Sequence, residues 1–178
     1  MRSTAIIVAA AVLAGALGLA LGYWSNTREP AAPEGVEVAR IGDRAPDLVL
    51  RDLDGVPRRL DEWSGAPRVI NFWATWCGPC IEEMPLLDAF AQEPGHGVAV
   101  IGIALDEEAA VETFLDQVLA RYPQLIEAPG RSDSSVRLGN TRNVLPFSVL
   151  IGADDRVRRL RTGAFRDADD LRDWATSP

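Results

Sequence analysis

From Ala5 to Trp24 the chain is apolar and uncharged; from Ser25 to Arg40 it turns polar, with two prolines and little periodicity. The first stretch has roughly the 20 residues a helix needs to span a bilayer. The second reads as a linker. A folded domain is expected over 41–178. Within it, LVLRDLDGVPRRL (48–60) has two short extended runs around Asp54-Gly55, a hairpin signal. RVINFWA (68–74) is a continuous apolar run, as in a strand buried on both faces. Ile81, Met84, Leu87 and Phe90 recur at helical spacing, so 80–93 is a predicted helix that Gly95 and Gly97 break. GVAVIGIAL (97–105) is a second buried strand. A helix is predicted over 106–122, with Asp106 as its N-cap and Pro123 as its stop. QLIEA suits a short strand, and SDSSVRLGN a brief helix ending at Gly139. Residues 148–152 and 156–163 read as strands joined by Ala153-Asp154-Asp155, and 166–177 as a last helix. This order gives an α/β sandwich with a mixed central sheet.

Composition and charge narrow the function. The 178 residues carry 26 acids and 18 bases, a net charge of −8, and every base is arginine. An acidic chain without a basic cluster argues against nucleic-acid binding. Residues 1–24 are expected to be a membrane anchor or a signal sequence. Tyr23 and Trp24 suit a membrane interface, which favours an uncleaved anchor. Cleaved export is the alternative, with Ala20-Leu21-Gly22 as a weak cleavage signal. Arg2 and the amino terminus favour an inside N-terminus, placing the domain outside the cytoplasm.

The only cysteines, Cys77 and Cys80, fall in NFWATWCGPC. A zinc site needs more ligands than these two and His96 supply. A structural staple would close too short a loop to constrain the unfolded chain much. Redox work fits better. The pair lies where a strand meets a helix, and a helix start stabilises a thiolate. On this reading Cys77 attacks a disulfide and Cys80 resolves the mixed disulfide. Gly78-Pro79 suits the turn into the helix.

FWATWCGPC resembles the active site of thioredoxin-fold proteins. GDRAPDLVLRDLDG before it, CIEEMP after it and NVLPFSVLIGADDRV later resemble the TlpA/ResA-like membrane-anchored thiol–disulfide oxidoreductases, over about 42–175. The resemblance implies a three-layer α/β/α sandwich with an amino-terminal β-hairpin. It also implies an extra βα insertion in the roughly 40 residues between the second strand and Pro146. Pro146 resembles the family's cis-proline, which leaves the backbone of Leu145 free for a substrate strand. Leu145 departs from the small or β-branched residue usual there. Glu83 resembles the acid that tunes proton transfer at the pair. Asn71 stands where plain thioredoxin has a buried acid, and an amide cannot take the Cys80 proton. The catalytic set is therefore Cys77, Cys80 and Glu83. Trp76, Gly78, Pro79, Leu145 and Pro146 form the substrate-binding set. Phe72 and Trp73 are expected in the core.

The resulting expectation is a disulfide reductase of the bacterial inner membrane, held through residues 5–24 and facing the periplasm. The alternative location is a soluble exported periplasmic protein. Protein disulfides are the substrates, apocytochrome c being one the resemblance suggests, and a membrane thiol carrier is the electron donor. No metal or other cofactor is implied. Two rivals remain: a peroxiredoxin-like thiol peroxidase, whose site motif is not matched around Thr75, and a non-catalytic binding or chaperone module.

Overall fold

The structure is a computed structural model that describes residues 2–26 and 33–177. The central part of the expected linker, residues 27–32, lies outside the described residues. The chain divides into two units, between Ala31 and Ala32. The first is helix α1, Arg2–Asn26. Its large apolar side chains that are described, including Ile7, Leu13, Leu17, Leu19 and Trp24, are all exposed. On α1 the described side chains are residue 7 and the stretch 11–24. Among the described residues no helix is long and apolar enough to cross a membrane.

The second unit is built on one seven-stranded sheet. Its strands are β1 (Val49–Asp52), β2 (Pro57–Arg59), β3 (Arg68–Trp73), β4 (Ala99–Leu105), β5 (Gln124–Glu127), β6 (Phe147–Ile151) and β7 (Val157–Thr162). Their order across the sheet is β2-β1-β5-β4-β3-β6-β7. β4 pairs in parallel with β3 and β5, and the remaining pairings are antiparallel. The sheet is therefore mixed, as the element order implied. β1 and β2 form the expected hairpin, and Gly55 turns it with φ 74°.

β3 lies near the centre and is buried at every residue. Successive side chains of a strand point to opposite faces, and the two faces of β3 meet different cores. Ile70 and Phe72 join a cluster with Leu50, Ile101, Ile103, Leu125 and Val149. Val69 joins one with Leu87, Phe90, Val100, Leu150 and Leu171. The latter takes in the apolar stripes of α2 (Gly78–Gln92) and α5 (Ala168–Thr176), which pack together. The continuous apolar reading of 68–74 thus has its cause in a strand covered on both sides.

Three boundaries differ from the sequence reading. Helix α2 begins at Gly78 rather than residue 80, because Pro79 sits in its first turn, where a missing N–H costs nothing. Helix α3 is only Glu108–Leu115, and its N-cap is Glu107 rather than Asp106. Past its end, Arg121 is held by Asp88 of α2, through its backbone N–H at 2.7 Å and its guanidinium at 2.6 Å. That contact brings Tyr122 into the core. Residues 36–40, expected as the end of the linker, are already attached to the domain. Ala39 is buried, and its N–H donates to the Arg137 carbonyl at 2.8 Å. β5 and the short helix α4 (Ser134–Arg137) occupy the stretch between β4 and β6 where an extra segment was expected.

Candidate active site

The site forms where β3 ends. Beyond Trp73 the chain turns through Ala74-Thr75-Trp76, and Cys77 becomes the N-cap of α2. Cys77 and Cys80 form a disulfide, with S–S 2.02 Å and Cα atoms 5.3 Å apart. The amides of Cys80 and Ile81 both donate to the Cys77 carbonyl at 3.1 Å, closing the first turn around the pair. Cys77 is the more accessible sulfur-bearing residue, but only just, at 5% exposed against 0% for Cys80. Gly78 and Pro79 are exposed beside them.

The two tryptophans have opposite environments. Trp73 is fully buried, its indole N–H donating to Gln124 Oε1 at 2.9 Å. Trp76 is 70% exposed. The turn between them is pinned from β4. Asp106 Oδ2 accepts the Thr75 amide at 3.0 Å and the Thr75 hydroxyl at 2.5 Å. Burial pulls the Asp106 carboxyl upward, but the hydrogen bonds from Thr75 and the Glu107 amide prevail and hold it below the usual carboxylate range.

The Leu145–Pro146 peptide bond is cis, as expected. Leu145 is half-buried and packs against the cluster that contains Cys77, Cys80, Trp73 and Met84. The Pro146 carbonyl accepts the Gly163 amide at 2.8 Å. An open groove of about 380 Å³ begins at Trp76, the residue before Cys77, and at Leu145, which packs against the cluster holding both cysteines. Trp76, Leu105, Pro129, Arg131, Asn140 and Leu145 are among the residues that line it.

Glu83 is not a surface acid: it is 3% exposed, whereas Glu82 beside it faces solvent. It lies one helical turn beyond Cys80, on the same side of α2. Glu83 Oε1 accepts from Asn71 Nδ2 at 2.8 Å, and Oε2 accepts the Phe165 amide at 3.0 Å. Asn71 Nδ2 also donates to Ser148 Oγ at 3.1 Å, and its buried Oδ1 has no hydrogen-bond partner. Burial pushes the Glu83 carboxyl up; the two N–H donors and the Arg161 charge oppose this without overcoming it. A carboxylate held this way by neutral donors gains a proton more readily than an exposed one. The first two turns of α2 thus carry the disulfide pair at the helix start and a buried carboxyl one turn beyond Cys80.

The family model Redoxin matches residues 40–175. The chain belongs to the Redoxin family. Within it the similarity is to thiol–disulfide oxidoreductases. The ResA protein of Bacillus cereus is 33% identical over 152 residues, covering 82% of this chain and 79% of the relative. A thiol:disulfide interchange protein DsbE-like structure from Chlorobium tepidum aligns with TM-score 0.64 and 28% identity, over 74% of this chain and 91% of that one. A secreted disulfide oxidoreductase of Mycobacterium tuberculosis aligns with TM-score 0.57 and 25% identity, over 70% and 91%. This protein is thus a TlpA/ResA-like thiol–disulfide oxidoreductase of the thioredoxin superfamily, and protein disulfides are its substrate class.

Sequence reasoning missed four groups of this oxidoreductase's site. Asp106 was assigned to cap a helix, and instead its carboxylate holds the Thr75 turn. Asn71 was read only as a lost acid, yet it is a donor to Glu83. Ser148 and the Phe165 amide carried no signal, since a backbone donor 82 residues from its acceptor leaves no pattern in the chain. His96 plays no part at the site. It stacks on Phe90 with centroids 4.1 Å apart, and its Nδ1 accepts the Val98 amide. Among the described residues no cluster has the makings of a metal site.

Proposed function

We propose that this oxidoreductase reduces protein disulfides outside the cytoplasm, with Cys77 as nucleophile, Cys80 as resolving thiol and Glu83 as proton acceptor. The Cys77 thiolate attacks one sulfur of the substrate disulfide, forming a mixed disulfide and releasing one substrate thiolate, which takes up a proton. Cys80 gives its proton to Glu83 and attacks the Cys77 sulfur. The second substrate thiol leaves, and the Cys77–Cys80 disulfide forms; two electrons have passed to the substrate. The observation that carries this reading is the buried Glu83 carboxylate one turn from the disulfide.

The same carboxylate supports the reducing direction. A strong oxidant of this chemistry stabilises its reduced, thiolate form. A buried acid repels a thiolate while ionised, which favours the disulfide and makes the dithiol the better reductant. Trp76 and Leu145, which line the groove, and Gly78 and Pro79, which lie between the cysteines, are the proposed substrate contacts, with Pro146 joined to Leu145 by the cis bond. The uncharged run Ala5–Trp24 supports an anchor in the inner membrane, followed by a linker. Disulfide substrates persist outside the cytoplasm, and the M. tuberculosis relative is described as secreted. An enzyme reducing disulfides there needs re-reduction, for which a membrane thiol carrier is the proposed donor, and apocytochrome c is one proposed target.

Replacing Cys80 with Ser tests the roles. A mixed disulfide is expected to accumulate on Cys77 in cells, with the partner identified by mass spectrometry of the extracytoplasmic fraction. No mixed disulfide on Cys77, or, in a parallel whole-cell sample, one with cytoplasmic partners alone, would refute the reading.

A further inference from the structure

The Phe165 amide that meets Glu83 belongs to the short loop between β7 and α5, and that loop is fastened on three sides. Arg161, near the end of β7, donates to Asp170 Oδ1 at 3.1 Å and to Oδ2 at 2.7 Å, a two-pronged pair. Its guanidinium also donates to the Ala164 carbonyl at 3.1 Å and lies over the Phe165 ring, 4.4 Å from the centroid. Asp170 in turn accepts the Arg166 amide at 3.0 Å. The Phe165 ring is buried and meets Trp174 of α5 edge-on at 5.3 Å. Gly163 opens the loop with φ 93°, a region that favours glycine, and donates to the Pro146 carbonyl. Arg161 and Asp170 are both mostly buried, at 22% and 13% side-chain exposure, so their pairing is poorly screened by solvent.

We propose that Arg161 and Asp170 are positioning residues of the redox cycle: their ion pair fixes the loop 163–166 so that the Phe165 amide is presented to Glu83, which sets how tightly that carboxylate holds a proton. The inference rests on Glu83 being the proton acceptor and adds the device that tunes it. A hydrogen bond to the charged form favours that form. Loosening the loop therefore leaves Glu83 protonated to higher pH, and Cys80 loses its acceptor over part of the working range. The charged and titratable groups around Glu83 are few. Arg161 faces it from β7, and Tyr122, whose own hydroxyl burial pushes up, lies ahead of β5. Asp88 is on α2 itself, tied to Arg121. Asn71 and Ser148 from β3 and β6 are neutral.

Charge and position make opposite demands on one variant, which separates them. Asp170→Asn frees the Arg161 charge and deletes a negative one, so plain electrostatics would lower the Glu83 titration midpoint. Loss of positioning would raise it. The readout is the carboxyl carbon shift of Glu83 against pH in the full-length oxidised protein, where the cysteines do not titrate. A rise of about half a pH unit or more is expected. A fall or no change overturns the proposal. Should Asp170→Asn not fold, Arg161→Lys keeps the charge and loses the fork; a rise is again expected, and an unchanged midpoint overturns the proposal. In the reduced protein, the pH profile of mixed-disulfide resolution should shift in Asp170→Asn, and the shift should vanish in the Glu83→Gln background. If Glu83→Gln alone leaves the resolution profile intact, the proton-acceptor reading falls, while the carbon-shift measurement still decides the role of the loop.

Discussion

The two ends of β3 each bury a charge, and they treat it differently. At its amino end Arg68 is 2% exposed at the side chain and donates to Asp155 Oδ1 at 2.8 Å. Asp155 also accepts the Ser64 hydroxyl at 2.7 Å and lies 3.4 Å from Arg44. The Ser64 hydrogen bond, with Arg68 beside it, holds its carboxyl below the usual range. Beyond its carboxyl end Glu83 is as deeply buried, but its direct partners are the neutral N–H groups of Asn71 and Phe165. A paired charge is fixed in one protonation state. An acid whose direct partners are dipoles, with burial outweighing them, is pushed up and takes on a proton more readily. The carboxyl at one end is held charged by its partners, and the one at the other end is pushed toward its neutral form.

Removing the reacting sulfurs should have the largest effect. Cys77→Ser is expected to abolish reduction of insulin disulfides while leaving the thermal unfolding of the reduced protein within about 0.5 kcal/mol. Retained turnover would mean the chemistry lies elsewhere. At the other end Arg68→Met should do the reverse. Breaking one side of a buried pair costs about 3–5 kcal/mol, measured by urea unfolding, while turnover per folded molecule stays unchanged. A fall in turnover of the folded fraction would erase the contrast between the ends.

Glu83→Gln is expected to slow resolution of the mixed disulfide by roughly 10- to 100-fold, about 1.4–2.7 kcal/mol in barrier. Its stability profile sharpens the comparison further. The folded Glu83 carboxyl is raised above its unfolded value of 4.5, so the native state binds the proton more tightly. The associated stability is complete below pH 4.5 and is lost as pH rises through the folded value. Glu83→Gln should flatten that decline, as read by urea unfolding from pH 4 to pH 8. Asp155 has the opposite sign. Its folded carboxyl is lowered, so its contribution is present above its unfolded value of 3.8 and fades as pH falls below it. The smallest effect belongs to Gly102→Ala. A methyl group there would meet the Gln124 amide that holds Trp73. A loss of about 1 kcal/mol is expected, with the Trp73 fluorescence altered.

Much of the fold was legible because burial leaves a period in the sequence. β3 and β4 were readable as unbroken apolar runs, and α5 as a closing helix over 166–177. Helix α3 was overread because VETFLDQVLARY keeps an apolar rhythm past Leu115, and the contact of Arg121 with the distant Asp88 leaves no pattern in the sequence. At the site the cysteines were legible from their spacing. The burial of Glu83 was not, since Glu82 and Glu83 are identical letters whose difference comes from the position of each around α2. The Phe165 amide and the Asp106–Thr75 clasp are long-range contacts of single groups, with no periodicity to betray them.

The edges of the sheet carry a final consequence. β2 closes one side and β7 the other. β2 is three residues long, opens with Pro57 and continues with Arg58 and Arg59. β7 carries Arg158, Arg159 and Arg161 in six residues. An uncovered edge invites strand-to-strand growth into aggregates, and proline and rows of like charge discourage it. The proline in β2, and arginines at both margins already engaged by Glu62, Asp61, Asp154 and Asp170, leave neither edge a bare template on which another chain could add a strand.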